Sequence, residues 1–177
     1  MSIVGTLITD ILVDHMGISL FTLSIVFTLL MLLAFVIWYR SEKTLSIHSI
    51  NSSKREAYYW LIILLAFALG TGTGDLISEG MGLGYGLALM LFGGLIAMIY
   101  FAYCALKMDG VLAFWLVFIL TRPLGASLGD FMTKPAIEGG LALNMLGVNV
   151  GFFEAIIVAV FYLTQIQLRK REMPDDK

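Results

Sequence analysis

Charged residues are scarce in this sequence. Asp, Glu, Lys and Arg make up 14% of its 177 residues and hydrophobic residues 59%, whereas soluble domains carry about 25% charged residues. The scarcity excludes an ordinary soluble domain and indicates a chain that lies in lipid. The uncharged runs that begin at Met16, Ala57 and Gly80 are each long enough to cross a bilayer.

Cysteine and several familiar motifs are also missing. The single cysteine, Cys104, lies in an apolar run, which excludes an internal disulfide framework and a C-x-x-C metal site. The sequence has no H-E-x-x-H and no phosphate-binding G-x-x-x-x-G-K, and no basic patch interleaved with aromatic residues, so neither a cofactor nor a nucleic-acid partner is expected. The first residues lack the basic start of a cleavable signal and contain Asp10 and Asp14, so we expect this segment to be retained.

The apolar runs predict an all-α, polytopic membrane bundle of about six transmembrane helices, embedded in the lipid bilayer. They are placed at residues 1–15, 19–39, 57–78, 84–105, 110–132 and 146–167, within one transmembrane domain, 1–168, that has a loop at 40–56 and a tail at 169–177. Basic residues cluster in that loop and tail, so the positive-inside rule puts both termini in the cytoplasm. Trp38, Trp60 and Trp115 fall on the same side and are expected to be interfacial anchors.

One spacing, W-x9-G-x4-D, recurs along the chain. It occurs at Trp60, Gly70 and Asp75 and again at Trp115, Gly125 and Asp130, and its last part occurs at Gly5 and Asp10. Each aspartate ends a leading helix and is followed by a short loop and an apolar returning helix, which predicts three helical hairpins at about 1–39, 57–105 and 110–167. Because every copy starts on the same face, the copies are expected to be parallel repeats. The first copy lacks its tryptophan position, so we expect the chain to form a homo-oligomer or to be part of a longer chain.

Four stretches carry a resemblance to a known family: GTLITDILVDHMGI, SEKTLSIHSI, REAYYWLIILLAFALGTGTGDL and LAFWLVFILTRPLGASLGDF. They resemble the bacterial uncharacterised membrane-anchored protein family, which has four tandem repeats of unknown function, each with two transmembrane helices and a characteristic tryptophan. The resemblance implies an eight-helix parent, of which this chain matches the last three repeats, and a location in the bacterial inner membrane. It implies little about activity.

Ionisable side chains at membrane depth are costly and are functional candidates by default. The candidate transport-path residues are Asp10, Asp14, Asp75, Glu79, Asp130, Arg122 and Glu154. Asp10 with Asp14, and Asp75 with Glu79, are pairs four residues apart that share a helix face. In the third copy the second position is Lys134, which can neutralise Asp130. The excess of acids favours a small cation as a partner; oxygen ligands suit Mg, Ca or Mn or a proton relay, and the sequence singles out none of them.

Glycines precede each aspartate of the later copies. They lie at Gly70, Gly72 and Gly74 and at Gly125 and Gly129, with Pro123 nearby. One interpretation is that the helix breaks there and frees carbonyl groups to coordinate a cation. The other is that the aspartates cap new half-helices and the glycines allow close helix packing. Both interpretations stay open on the sequence alone.

Arg122 lies near mid-membrane and must be paired. Its candidate partners are Asp75, Asp10 and Glu154. The functional interpretation makes it a gate or a coupled proton site. The structural interpretation, which we favour, makes it a buried ion pair that fixes helix register.

Three functions are consistent with these residues. The leading hypothesis is a transporter or channel for a small solute, a cation being the expected cargo, and not an enzyme. The alternative is a non-transporting scaffold or assembly subunit. A remote third is an intramembrane serine hydrolase, since residues 125–129 fit G-x-S-x-G around Ser127 and His15 could act as a base; that motif requires a strand-to-helix turn, which a membrane helix does not provide.

Overall fold

The structure, a computed structural model, describes residues 1–47 and 52–172. The described residues form six α-helices and no strand: α1 Ser2–Asp10, α2 Leu20–Glu42, α3 Ser53–Asp75, α4 Tyr85–Ala105, α5 Gly110–Thr133 and α6 Met145–Glu172. The expected all-α fold and the number of helices are confirmed. The leading helices of the three copies are α1, α3 and α5, and the returning helices are α2, α4 and α6.

Five of the described helices are long and apolar enough to cross a membrane: Leu20–Glu42, Ser53–Gly80, Tyr85–Ala105, Gly110–Thr133 and Met145–Leu168. The first helix, α1, is 9 residues long and does not reach that length. The helices also run into the predicted loop and tail, because α2 continues to Glu42, α3 begins at Ser53 and α6 ends at Glu172. Residues 43–47 and 52 of the predicted loop are also described, whereas residues 48–51 and 173–177 lie outside the described residues.

Polar side chains set the helix starts. The hydroxyl of Ser19 accepts a hydrogen bond from the backbone N–H of Thr22 at 3.2 Å before α2, and Ser52 accepts one from Arg55 at 3.3 Å before α3. The carboxylate of Asp109 accepts one from the backbone N–H of Leu112 at 2.9 Å. Each cap satisfies a backbone donor that the first turn of a helix leaves open.

The hairpin turns of the first two copies are closely similar. After α1 comes a π-helical turn, Ile11–His15, and after α3 comes another, Leu76–Gly80. Each is closed by a glycine in the left-handed region, Gly17 and Gly82, both with φ +66°. Only glycine adopts that conformation without strain, so the two turns use it at the same place in the repeat.

Helix α3 lies at the centre of the packing. Leu23, Phe27 and Met31 of α2 pack against Ala66 and Leu69 of α3 in one buried cluster. Close packing of this kind, together with interhelical hydrogen bonds, holds membrane helices together, because lipid tails are as apolar as the side chains.

A second cluster forms at the ends of the helices near the loop between α2 and α3. The rings of Trp38 and Trp115 meet edge to face with centroids 5.8 Å apart, and both residues are buried. The indole N–H of Trp115 donates to the carbonyl of Leu45 at 3.0 Å. Trp38 and Trp115 thus pack against each other within the protein, and among the three tryptophans only Trp60 is exposed. Their position at the membrane interface stays a prediction.

The same loop is closed by an ion-pair cluster. Arg55 Nε lies 2.6 Å from a carboxylate oxygen of Glu42, and Lys54 Nζ lies 3.7 Å from the other. The pairs join the end of α2 to the start of α3.

The chain divides into two compact units, Met1–Phe131 and Met132–Lys177. The first contains α1 to α4 and nearly all of α5. In the second, the segment before α6 turns at Gly139, where φ is +84°, and Asn144 accepts a hydrogen bond from the backbone N–H of Leu146 at 2.8 Å. The site described next lies wholly in the first unit.

Candidate functional site

Two equivalent threonines meet where the leading helices converge. Thr6 follows Gly5 in α1 and Thr71 follows Gly70 in α3, and their hydroxyl oxygens are 3.3 Å apart. The third copy has Ala126 at this position. This contact joins the same repeat position of the first two copies.

Arg122 of the third copy joins this pair. Its Nη2 donates to Thr6 Oγ1 at 2.5 Å and to Thr71 Oγ1 at 3.5 Å, and its guanidinium lies over the ring of Phe67, 5.4 Å from the centroid. A cation–π contact of this kind contributes about 0.5 to 2 kcal/mol. One arginine thus touches both of the other leading helices.

The hydrogen bonds form a directed chain. The hydroxyl of Thr71 donates to the carbonyl of Phe67 at 3.1 Å, and a hydroxyl has one proton to donate. The bond between the threonines is therefore donated by Thr6, which in turn accepts from Arg122. The chain runs from Arg122 through Thr6 and Thr71 to a backbone carbonyl and links all three copies, and bonds in such chains strengthen one another.

Glycines make room for this approach. A Cβ built on Gly70 would lie 2.6 Å from Arg122 Cβ and 3.1 Å from Pro123 Cδ, and one built on Gly74 would lie 3.6 Å from Pro123 Cα. Between them, Gly72 faces α2, with Leu23 Cδ2 at 3.1 Å. The GTGTG stretch therefore packs against α5 on one side and α2 on the other, which is the close-packing interpretation of the glycines.

The expected helix breaks before the aspartates are absent from the described helices. Helix α3 is continuous through the glycines to Asp75, and α5 runs through Pro123 and Gly129 to Thr133. The irregular segments are π turns that follow Asp10 and Asp75, and neither aspartate side chain makes a capping hydrogen bond there. Both the break and the capping interpretations are corrected: the backbone stays helical because packing holds the glycines in place.

The acids of the first two copies lie at equivalent depths on equivalent turns. Asp10 and Asp75 are half-buried, while Asp14 and Glu79 are exposed, and the hydroxyl of Tyr85 donates to Glu79 at 2.7 Å. Burial is the largest influence of the surroundings on Arg122, and Asp75 and Asp10 attract its charge more weakly. Two of the three partners expected for Arg122 thus act on it electrostatically, while its hydrogen bonds go to threonines.

The other candidate residues are distributed differently. Asp130 is half-buried near the end of α5 in the first unit. Lys134 and Glu154 belong to the second unit, and Glu154 has an exposed side chain on α6. The pairing of Asp130 with Lys134, and of Arg122 with Glu154, stays a prediction.

A cavity of about 280 Å³ adjoins Arg122; it is lined by Ala66, Phe67, Phe118, Thr121, Arg122 and Gly125. The buried Nε of Arg122 has no hydrogen-bond partner among the described residues. A buried donor left unsatisfied costs about 1 to 3 kcal/mol, so the arginine retains the capacity to bind one more acceptor.

The residues of the other hypotheses are also placed. Ser127 is 2% exposed in the middle of α5, so the helix gives it no nucleophile turn, and His15 is exposed. In the part of the chain that the structure describes, no group of three or more His, Cys, Asp or Glu side chains could hold a metal ion.

Thr6, Thr71 and Phe67 were missed by reasoning from the sequence, which looked for charges. A signal was present: Gly-Thr occurs at the repeat position of both the first and second copies, at residues 5–6 and 70–71. A repeated hydroxyl at a helix-packing position could have indicated the partner of Arg122.

The chain matches a known family of proteins. The profile of a family described as Repeat of Unknown Function (DUF347) matches three segments, residues 1–44, 58–108 and 113–167. The segments agree with the three hairpins. No curated protein and no solved structure matches the chain.

Proposed function

Given that the chain belongs to the DUF347 family of repeats of unknown function, we propose a function from its site: transport or channelling of a small solute, with a cation as the expected cargo. The proposed location is the bacterial inner membrane, with both termini in the cytoplasm. No catalytic role is assigned to any residue.

One observation carries the proposal. Arg122 reaches across the bundle to Thr6 and Thr71, next to a cavity and within the electrostatic reach of Asp10 and Asp75. Ionisable groups in membrane helices commonly mark ion or substrate pathways. Two half-buried carboxylates against one arginine leave this region net negative, which favours a cation.

The arrangement of charges suggests how a cation would pass. Exposed Asp14 and Glu79 would attract it from solution, and half-buried Asp10 and Asp75 would receive it. Arg122 would then be the gate, because a cation bound between those carboxylates competes with the guanidinium for their charge. Release of Arg122 from the threonines would open the way.

Flux measurements in proteoliposomes test this proposal. Efflux of Na⁺, K⁺, H⁺, Mg²⁺ or Mn²⁺ is compared between the wild type, Asp75→Asn and Arg122→Met. We expect at least one cation to be transported and its flux to change about tenfold or more in both variants, which corresponds to about 1.4 kcal/mol in a barrier. Asp109→Asn is the matched control, since asparagine also caps a helix and its flux should equal that of the wild type.

Two results would contradict the proposal. One is the absence of flux for all five cations in wild-type vesicles. The other is a flux that neither Asp75→Asn nor Arg122→Met alters.

The membrane orientation has its own test. Green fluorescent protein fused after Lys177 should fluoresce, and alkaline phosphatase fused at the same place should be inactive, because the first folds in the cytoplasm and the second needs an oxidising compartment. The reverse pattern would invert the proposed topology.

A scaffold or assembly subunit is the second candidate. It is favoured by the hydrogen bonds that already occupy Nη2 of Arg122 and by the close packing at Gly5 and Gly70. On this view Arg122→Met lowers the stability of the folded bundle and no solute flux depends on Asp75. The flux assay and an unfolding measurement on the same two variants separate the candidates.

A further inference from the structure

The α1–α3 and α3–α5 interfaces use the same repeat positions. A Cβ built on Gly5 would lie 2.7 Å from Phe67 Cβ, and one built on Gly70 would lie 2.6 Å from Arg122 Cβ. Gly5 and Gly70 are equivalent, and Phe67 and Arg122 each lie three residues before the repeat glycine of their own helix. At both interfaces, the repeat glycine of one leading helix therefore contacts the residue that lies three positions before the repeat glycine of the next leading helix.

The last leading helix, α5, has the same glycine surface, and nothing in the first unit packs against it. Gly125 is the repeat glycine of α5, and no described atom of that unit lies within 4 Å of a Cβ built there. The complementary position in α1, three residues before Gly5, is Ser2. Ser2 is half-buried and lies beside Ile3, which is 75% exposed. In the series α1–α3–α5, α5 therefore has an open glycine face, and α1 has the residue position that packs against such a glycine in the other two interfaces.

We propose that the Gly125 face of α5 binds α1 of a second copy of this chain, so that the series α1–α3–α5 continues across the subunit boundary. The occupant is specified by continuity with the two interfaces already formed, which share one register. Contacts of this head-to-tail kind close into rings or extend, according to the rotation between subunits. The cavity beside Arg122 includes Gly125 in its lining, so the partner's α1 completes its wall.

Trp60 supports the inference independently. Its equivalent in the next copy, Trp115, is covered by Trp38 and Phe35 of α2, the returning helix two copies earlier. No returning helix among the described residues covers the equivalent surface of Trp60, which is 43% exposed. A second chain that docks at α1 would bring a returning helix to this surface. The inference rests on packing alone and does not depend on transport.

Disulfide trapping tests the register. In a Cys104→Ser background, Gly125→Cys and Ser2→Cys chains with different C-terminal tags are co-expressed, and the membranes are oxidised. The equivalent built Cβ–Cβ distances, 2.7 and 2.6 Å, are shorter than the roughly 3.8 Å that a disulfide spans, so a disulfide requires the two helices to separate by about 1 Å. With that small separation, we expect a cross-linked species that carries both tags. The control pairs Ser2→Cys with Gly94→Cys, a glycine in α4 that likewise has no described atom near its Cβ but lies outside the register.

The outcome is decisive in either direction. Cross-linking that is several-fold stronger for Gly125→Cys than for Gly94→Cys supports the interface, and equal or absent cross-linking overturns it. The mass of the Cys104→Ser chain in a mild detergent gives a second reading: a dimer or larger ring that Gly125→Leu converts to monomer and Gly94→Leu does not. A monomeric parent would show that lipid covers this face and would overturn the inference. Gly125→Leu is expected to fold, since nothing in the first unit occupies that space.

Discussion

Trp60 and Trp115 occupy the same position of two repeats and have opposite environments. Trp115 is 3% exposed, and its indole N–H donates to Leu45. Trp60 is 43% exposed, and its indole N–H donates to Glu56 at 3.3 Å. The difference comes from the neighbour, because α2 lies over Trp115 and has no described counterpart over Trp60. In an array of repeats, the burial of a repeated residue is therefore set by which copies surround it.

Replacing the two tryptophans should give the largest effect and the largest contrast. Trp115→Ala removes a fully packed ring and is expected to lower the free energy of unfolding by about 3 to 5 kcal/mol. Trp60→Ala removes a ring that is partly in contact with lipid or solvent and should cost less than about 1 kcal/mol in the monomer. Unfolding in mixed micelles by denaturing detergent, followed by helical circular dichroism, measures both.

Similar losses for the two variants would contradict this comparison, because they would mean that Trp60 is as well packed as Trp115. If Trp60→Ala costs more in a dimer than in a monomer, the comparison is sharpened, since the partner would then supply the missing cover.

Replacing glycine with alanine should change the free energy of unfolding in opposite directions at Gly70 and at Gly125. Gly70→Ala puts a Cβ against the main-chain end of Arg122 and against Pro123 and should lower the free energy of unfolding by about 2 kcal/mol, as overpacking does. Gly125→Ala meets nothing in the first unit and should raise it by about 0.5 to 1 kcal/mol in the monomer, because alanine favours helix. The same unfolding assay in a monomerising detergent measures both. A loss for Gly125→Ala in that detergent would refute the open face.

The sequence predicted what depends on composition and spacing. The helices begin and end within a few residues of the expected bounds, and the W-x9-G-x4-D spacing identified the copies, because apolar length and repetition are local properties. It could not predict that Trp38 would bury against Trp115 or that Arg122 would find Thr6, since both pairs are set by how distant helices meet. The glycines were ambiguous for the same reason: GTGTG is compatible with a break or with close packing, and only the neighbouring helix decides.

The hairpin turns offer a smaller comparison between copies. Gly17→Ala and Gly82→Ala each force a Cβ into a backbone with φ +66°, which should cost about 1 kcal/mol. The two losses should be equal within error, because the turns are equivalent. Gly147→Ala in α6, where a Cβ meets nothing among the described residues, is the control and should be neutral or slightly stabilising. Unequal losses at Gly17 and Gly82 would show that the two turns are not equivalent.

The smallest expected effect is the difference between the coupling energy of Arg122 with Thr6 and that of Arg122 with Thr71. A double-mutant cycle of Arg122→Met with Thr6→Val should give a coupling energy of about 1 kcal/mol, within the range measured for hydrogen bonds between membrane helices. The cycle with Thr71→Val should give less, because that bond is 3.5 Å long against 2.5 Å for Thr6. Thr22→Val, remote from Arg122 at the start of α2, should show no coupling. If the Thr71 coupling exceeded the Thr6 coupling, Thr71 and not Thr6 would be the main acceptor of Arg122, and the tie between the first and third copies would run through α3 instead.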